Sequence, residues 1–271
     1  MLADSDKAFT GSIPEFYDTY LVPLIFQPYA NDLAQRAAAL APKTVLETAA
    51  GTGVLTQALA SRLTADALYT VTDLNQPMLD HADSKQGPDG GVTWRQADAL
   101  ALPFDDASFD AVVCQFAVMF FPDRIAGYAE ARRVLKPGGT FLFNVWDEIE
   151  ANEFAQVVTQ AATSVFPNDP PLFLARTPHG YHDVGLIRAE LGQAGFSRIS
   201  ITTLEETSSA PSPRHAAIAY CQGTPLRNEI EARDASLLDQ VTDKAAEAIA
   251  ARFGNGPVNA KIRGQVIEAA R

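Results

Sequence analysis

Between residues 44 and 146, short apolar runs alternate with segments of helical period, and this rhythm limits the fold more than any other feature of the chain. The runs 44–50, 67–74, 92–98, 109–116 and 140–146 have the length and the β-branched or aromatic content of strands. Helical segments 54–63, 77–84 and 124–135 lie between them, and Lys136-Pro137-Gly138-Gly139 reads as a turn. Strands joined through helical crossovers run parallel, and a parallel sheet is buried on both faces. The nearly unbroken apolar character of FDAVVCQF fits such burial. The expected fold class is α/β, a doubly wound, seven-stranded, mostly parallel sheet with a helical cap, binding its ligand at the carboxyl ends of the strands.

The flanks break the rhythm. Phe16, Tyr20 and Leu24 recur at helical spacing, Asn31 is placed to cap a second helix through residue 40, and Pro14, Pro23 and Pro28 should interrupt this stretch. Beyond Trp146 come a helix at 153–165, the loops PNDPP and RTPHGYHD, a helix at 184–194 and a strand at 197–204. Helical sequence follows over 208–253, then a last strand at 263–270. The organisation read from this is 1–42 as N-terminal helices contributing to a cap, 43–146 as a ligand-binding core and 147–182 as a cap insertion. Residues 183–271 form the rest of the core, with a helical insertion at 208–253. The plainer alternative is that these additions only decorate the surface.

A chain of 271 residues, 47% apolar, can bury a substantial core without a metal or disulfide staple. Its 33 acidic against 21 basic residues give a net charge of −12, which repels a phosphate backbone. Arg132-Arg133 and Arg227 with Arg233 are too sparse to offset it, so no nucleic-acid partner is expected. Cys114 and Cys221 show neither metal spacing nor a disulfide framework, so no metal is expected and a cytoplasmic location fits. MLADSDKAF lacks the features of a signal peptide, and the longest apolar run, 111–121, contains Gln115 and is too short to span a bilayer.

Chemistry concentrates at the strand ends. Glu47-Thr48-Ala49-Ala50-Gly51-Thr52-Gly53 joins a strand to a helix, where glycines permit close backbone approach and a helix N-terminus offers free N–H groups. The loop departs from the dinucleotide pattern G-x-G-x-x-G, because Thr56 stands at its last position. Glu47 would repel a pyrophosphate and suits a cationic group such as an amino acid's ammonium. Asp73 ends the second strand, 22 residues after Gly51, where a carboxylate can accept both ribose hydroxyls of an adenosine. Asp98 ends the third strand, where a carboxylate and a neighbouring backbone group can read an adenine edge. Singly, either aspartate could be a solvated strand end or a cap; their joint placement after successive strands argues for a nucleoside.

At this point the chain resembles the class I S-adenosylmethionine-dependent methyltransferases, in the group of the ubiquinone/menaquinone-biosynthesis enzymes. The blocks VLETAAGTG, TVTDLN, QADALALPFDDASFDAVV, QFAVMFFPD and RVLKPGGTFLF carry the resemblance, which is close over residues 43–146. It implies a Rossmann-like methyltransferase fold, S-adenosylmethionine as donor, S-adenosylhomocysteine as product and a small-molecule acceptor, with C- or O-methylation favoured. On matching positions it implies that Glu47, Thr48 and the Ala49–Gly53 loop, with Gly51 and Thr52, hold the methionine part, and that Asp73 and Leu74 hold the ribose. Met78 would pack on the adenine, Asp98 and Ala99 would read its amino edge, and Gln115 and Phe116 would line the boundary with the acceptor. Tyr17 and Tyr20 are placed to close over the sulfonium, or else are core; Tyr17, Trp146 and Tyr181 are candidates to face the acceptor. Ala49 departs from the glycine usual in the family's first motif, so a small loop adjustment is expected.

Methyl transfer needs a base only if the acceptor must lose a proton. His179, His182 and Asp183 in PHGYHD are the candidates, against the plainer reading of a turn whose histidines bond to backbone. His81 and His215 have no partner nameable from sequence. Asp169-Pro170-Pro171-Leu172 is similar to a motif that grips exocyclic amines, but it follows the fifth strand and ends in Leu, so base methylation is rejected. A nicotinamide-dependent oxidoreductase and a non-catalytic S-adenosylmethionine-binding regulator are the alternatives. A homodimer is left open.

Overall fold

The computed structural model describes residues 13–86 and 91–271, so the segment MLADSDKAF lies outside the described residues. The chain divides into two units. A core unit comprises Gln27–Val145, Asp183–Thr203 and Gln265–Arg271; a helical unit comprises residues 13–26, Trp146–His182 and Leu204–Gly264.

The strands are β1 (Thr44–Glu47), β2 (Leu68–Asp73), β3 (Val92–Gln96), β4 (Phe109–Gln115), β5 (Leu135–Trp146), β6 (Arg198–Ala210) and β7 (Val258–Ala270). They form one seven-stranded sheet of order β3-β2-β1-β4-β5-β7-β6. β1 pairs in parallel with β2 and β4, β2 with β3, and β4 with β5. β7 runs against its neighbours. Arg271 N donates to Gly139 O while Asp147 N donates to Arg263 O, and Thr203 meets Gln265 while Ser209 meets Asn259. The sheet is mixed and mostly parallel, and its order reverses beside β1, where α/β sheets open a crevice at the strands' carboxyl ends. Val45, Leu46, Ala111–Cys114 and Phe141–Val145 are buried, as strands covered on both faces must be.

The helices are α1 (Ile13–Phe16), α2 (Gln27–Ala39), α3 (Val54–Ala60), α4 (Gln76–Gln86), α5 (Arg124–Val134), α6 (Glu153–Val165), α7 (Phe173–Arg176), α8 (Val184–Gln193), α9 (Pro213–Gln222), α10 (Leu226–Asp234) and α11 (Leu238–Phe253). A π-helix, Tyr17–Phe26, fills the interval between α1 and α2. Within the helical unit α11 packs on α9 and α6; in the core unit α2 packs on α3, and a two-bond Arg124–Glu190 ion pair ties α5 to α8. Among the described residues no helix is long and apolar enough to cross a membrane.

Several expected boundaries differ. Helical backbone continues through Pro23 and Pro28 instead of breaking: Pro23 sits in the wider π-turn, and Pro28 at the junction of the π-helix with α2. Pro28 offers no N–H to the Leu24 carbonyl four residues earlier, and the buried Ser208 hydroxyl donates to it at 2.8 Å. Asn31 is inside α2 and caps nothing; its Oδ1 accepts from Gln27 Nε2. Lys136–Gly139 is not a free turn but an irregular stretch of β5, where the register against β4 shifts. A Cβ on Gly139 would come within 2.9 Å of the Asp110 carbonyl oxygen, so the bulge needs glycine there. The first strand ends at Glu47 and not at residue 50, since Ala49 leaves the extended region. Ser208–Ala210, expected as helical, completes β6.

One carboxylate fastens the amino ends of the central strands. Asp110 Oδ2 accepts from Lys43 N, Thr44 N and Thr44 Oγ1 at 2.8–2.9 Å, and Lys136 Nζ lies 2.8 Å from Oδ1. Burial alone would raise its pKa, but the Lys136 ammonium and the Thr44 and Lys43 donors outweigh that and hold it at about 2. A depressed carboxylate contributes stability that is present above its unfolded pKa and lost as pH falls through the folded value. The side chain is 32% exposed, so solvent screening tempers the gain. Asp110→Asn is expected to lower unfolding free energy at pH 7 by about 1 kcal/mol and to flatten its fall between pH 4 and about 2, as read by urea melts.

Candidate active site

Four strand ends gather the residues singled out above into the core unit. Glu47 pairs with Val71 on one side and Val113 on the other, and Asp73 pairs with Gln96, so the carboxyl ends of β3, β2, β1 and β4 stand side by side. The loop after β1 is strapped to both neighbours. Thr48 N donates to Val113 O, Ala50 N to Thr72 O, and Gly51 N to Asp73 Oδ2 at 2.9 Å.

Ala49 takes a left-handed φ of 53°, where the family's usual glycine would be unstrained. Gly51 also has a positive φ, and no heavy atom of the described residues lies within 4 Å of where its Cβ would be, so the backbone there faces open space. Gly53 is the reverse case: a Cβ there would press on the Ala82 Cβ of α4 at 3.0 Å, so glycine allows close packing. Thr52 is buried, and its hydroxyl has no partner among the described residues.

Glu47 is 1% exposed. Tyr69 and Thr56 donate to its Oε2, the latter at 2.8 Å. Burial raises its carboxyl to about 7 despite these two bonds. Asp73 is also buried and its pKa raised by burial, while the N–H groups of Asn75 and Gly51 oppose the shift by donating to Oδ1 and Oδ2. The Asn75 side chain and the Leu74 N–H oppose the shift as well, so the carboxylate is held by the loop that follows it. Leu74 beside it is 54% exposed, and Met78 is half-buried in the first turn of α4. Asp98 is exposed, with Oδ1 accepting from Leu100 N, and Ala99 is half-buried. Gln115 is half-buried at the end of β4; Phe116 is buried, left-handed at φ 47°, and edge-on to Tyr29. Open space over Gly51, a Thr52 hydroxyl without a partner among the described residues and the Asp73 carboxylate at the end of β2 fit an adenosine-bearing amino acid.

The helical unit holds the remaining candidates. Tyr20 stacks on Phe16 and lies 4.7 Å from the His215 ring. A row of ring contacts runs from Tyr17 to Phe26, Trp146 and His179. His179 is buried, and its Nδ1 lies 2.9 Å from the Asp147 carbonyl oxygen. A carbonyl only accepts, so Nδ1 carries the proton and Nε2 is the basic nitrogen. Tyr181 is buried; His182 Nδ1 donates to His179 O. Asp183, in the core unit, caps α8 by accepting from Gly185 N and Leu186 N. Tyr69, Thr56 and Asn144 escaped the sequence reading. Asn144 alone left a trace, as the polar residue inside the apolar run FLFNVW.

Residues 46–143 match the methyltransferase domain family, which defines the class of protein that this strand-end arrangement serves. The Ubiquinone/menaquinone biosynthesis C-methyltransferase UbiE of Marinomonas sp. (strain MWYL1) is 30% identical over 172 residues, covering 59% of this chain and 68% of the relative. That of Shewanella halifaxensis (strain HAW-EB4) is 31% identical over 175 residues, covering 60% and 69%. The chain belongs to the class I S-adenosylmethionine-dependent methyltransferases, in the ubiquinone/menaquinone-biosynthesis-like group. Among solved structures, the YcgJ protein of Bacillus subtilis superposes with a TM-score of 0.57 at 19% identity, covering 90% of this chain and 98% of that one. A Haemonchus contortus N-methyltransferase in complex with S-adenosylhomocysteine gives 0.52 at 16% identity, covering 97% and 60%. The donor is S-adenosylmethionine and the acceptor a small molecule; neither the nicotinamide-dependent nor the non-catalytic alternative is favoured.

Two outcomes follow from the geometry. Ala49→Gly relieves a left-handed L-residue and is expected to raise thermal stability by about 1 kcal/mol; an unchanged or lowered Tm would contradict the strain. Burial pushes the His179 imidazole down to about 4, so it stays neutral where an unfolded histidine would already bind a proton. The folded state is therefore penalised progressively as pH falls from about 6.5 toward about 4 and is unaffected above that window. His179→Gln is expected to lose less stability than the parent across it, as measured by urea unfolding at stepped pH.

Proposed function

We propose that this methyltransferase transfers its methyl group to a ring carbon of a small hydroxylated aromatic acceptor of the quinol type. The observation that carries the reading is the 30–31% identity to C-methyltransferases of quinone biosynthesis over 172 and 175 residues. The ring row Tyr17–Phe26–Trp146–His179 supports it, because flat apolar faces suit a planar acceptor. We assign acceptor binding to the helical unit, with Tyr17, Trp146 and Tyr181 as its contacts.

For the donor we assign Glu47, Thr48, Ala49, Gly51, Thr52 and Gly53 to the amino-acid part, Asp73 and Leu74 to the ribose, and Met78, Asp98 and Ala99 to the adenine. We also assign Gln115, Phe116 and Tyr20 to the donor. When bound, S-adenosylmethionine supplies a methyl group already activated on a sulfonium. What the protein adds is position and exclusion of water, and well-oriented groups are worth up to roughly 7–11 kcal/mol. Where the acceptor must lose a proton, we assign the task to His179, whose Nδ1–H is fixed by the Asp147 carbonyl and whose Nε2 is left unprotonated, a weak base because burial pushes the imidazole down to about 4. His182 and Asp183 are less suited, one bonded through Nδ1 to His179 O and the other capping α8. A cytoplasmic location agrees with two free, buried cysteines.

The test is methyl transfer from labelled S-adenosylmethionine to 1,4-dihydroxynaphthalene, with the product's methyl position read by NMR. A methyl on carbon beside a hydroxyl is expected. A methyl ether instead would make the enzyme an O-methyltransferase, and no transfer to this or simpler phenols by protein that binds S-adenosylhomocysteine would overturn the acceptor class. Asp73→Ala is expected to weaken S-adenosylhomocysteine by about 1–3 kcal/mol in calorimetry; unchanged affinity would remove Asp73 from the ribose site.

A further inference from the structure

Asn144 is fully buried in β5, between apolar Phe143 and Val145, and pairs across the sheet with Gln115 at the end of β4. Its Oδ1 accepts from Phe116 N at 2.9 Å, while its Nδ2 has no partner among the described residues. The amide orientation is not ambiguous, since an N–H donor must face the oxygen. Burying an amide costs free energy that an apolar side chain would avoid, and half of this amide's bonding capacity goes unmet. Only the bond to Phe116 is gained in return.

Phe116, for its part, holds a φ of 47°, a conformation L-residues avoid and one that persists only where its surroundings enforce it. Its ring lies edge-on to that of Tyr29. Two unfavourable features thus meet in one hydrogen bond, at the point where β4 delivers Gln115 and Phe116 to the strand-end site.

We propose that Asn144 is a positioning residue for methyl transfer: it locks the left-handed exit of β4 and so sets the Gln115–Phe116 surface against which the sulfur end of the donor is held. This rests on the assignment of Gln115 and Phe116 to the donor boundary. Asn144 touches no substrate; it acts through Phe116.

The test compares Asn144→Leu, which fills the space without an acceptor, with Asn144→Asp, which keeps one. Asn144→Val serves if the leucine variant does not fold. Each is titrated calorimetrically with S-adenosylhomocysteine, and exchange of the Phe116 amide is followed by hydrogen–deuterium NMR. Asn144→Leu is expected to lose Phe116 protection and to bind S-adenosylhomocysteine about tenfold more weakly, with Asn144→Asp restoring both. A merely structural role would lower Tm and leave the affinity of the folded fraction unchanged. Unchanged affinity in Asn144→Leu, retained Phe116 protection, or an aspartate variant as weak as the leucine one would each overturn the proposal. Gln115→Ala, which spares the clamp, tests the underlying assignment on its own: unchanged affinity there rejects the donor boundary, not the Asn144–Phe116 bond.

Discussion

Everything in the core unit hangs on how the backbone leaves β1. The chain exits between two parallel neighbours, and within four residues it donates to the Val113 carbonyl of β4, the Thr72 carbonyl of β2 and the Asp73 carboxylate. Those bonds fix a tight loop before α3 begins, and they require a left-handed residue at Ala49 and again at Gly51. Without that loop the strand ends would be a row of unrelated side chains. With it, the Asp73 carboxylate becomes a support for the loops after both β1 and β2, through Gly51 N and Asn75 N.

The same solution recurs at β4. Phe116 leaves its strand in the left-handed region as Ala49 does; Phe116 N is bonded to Asn144 across the sheet, and Ala49 lies between Thr48 and Ala50, whose N–H groups bond the neighbouring strands. At the opposite ends of the strands the anchoring is electrostatic, with one aspartate bonding β1 and an ammonium from β5. The two ends therefore respond differently to conditions. The Asp110 clamp weakens only in strong acid, whereas Glu47 under the donor loop changes charge near neutrality because it is buried. Raised folded pKa values favour the folded state below the unfolded pKa, and that contribution disappears as pH rises through about 7 for Glu47.

The sheet was legible because parallel strands must read as apolar runs separated by helices, and residues 44–146 do so without ambiguity. The strand-end residues were legible for a related reason. A carboxylate at or just past the end of each of two successive strands is a local pattern: Asp73 ends β2 and pairs with Gln96, and Asp98 follows two residues later, beyond the end of β3. What escaped depended on partners distant in the chain. Pro28 reads as a helix breaker until Ser208, 184 residues after Leu24, supplies the missing donor. Asn144 reads as an oddity until Phe116 is seen to need an acceptor, and Lys136–Gly139 reads as a turn until β7 pairs with Gly138 and Gly139.

The insertion of β7 between β5 and β6 imposes an order of assembly. During synthesis β6 emerges before α9, α10 and α11, yet it has no place beside β5 until β7, translated after all three, has taken the position between them. On the ribosome that flank of the sheet therefore stays open while three helices are made, with a long strand waiting unpaired. Pairings between distant segments form slowly, and an unmatched strand edge invites association with other chains. The growing polypeptide is thus most exposed to aggregation late in translation, and a chaperone holding β6 at that stage would aid its yield more than one acting on the earlier βα units.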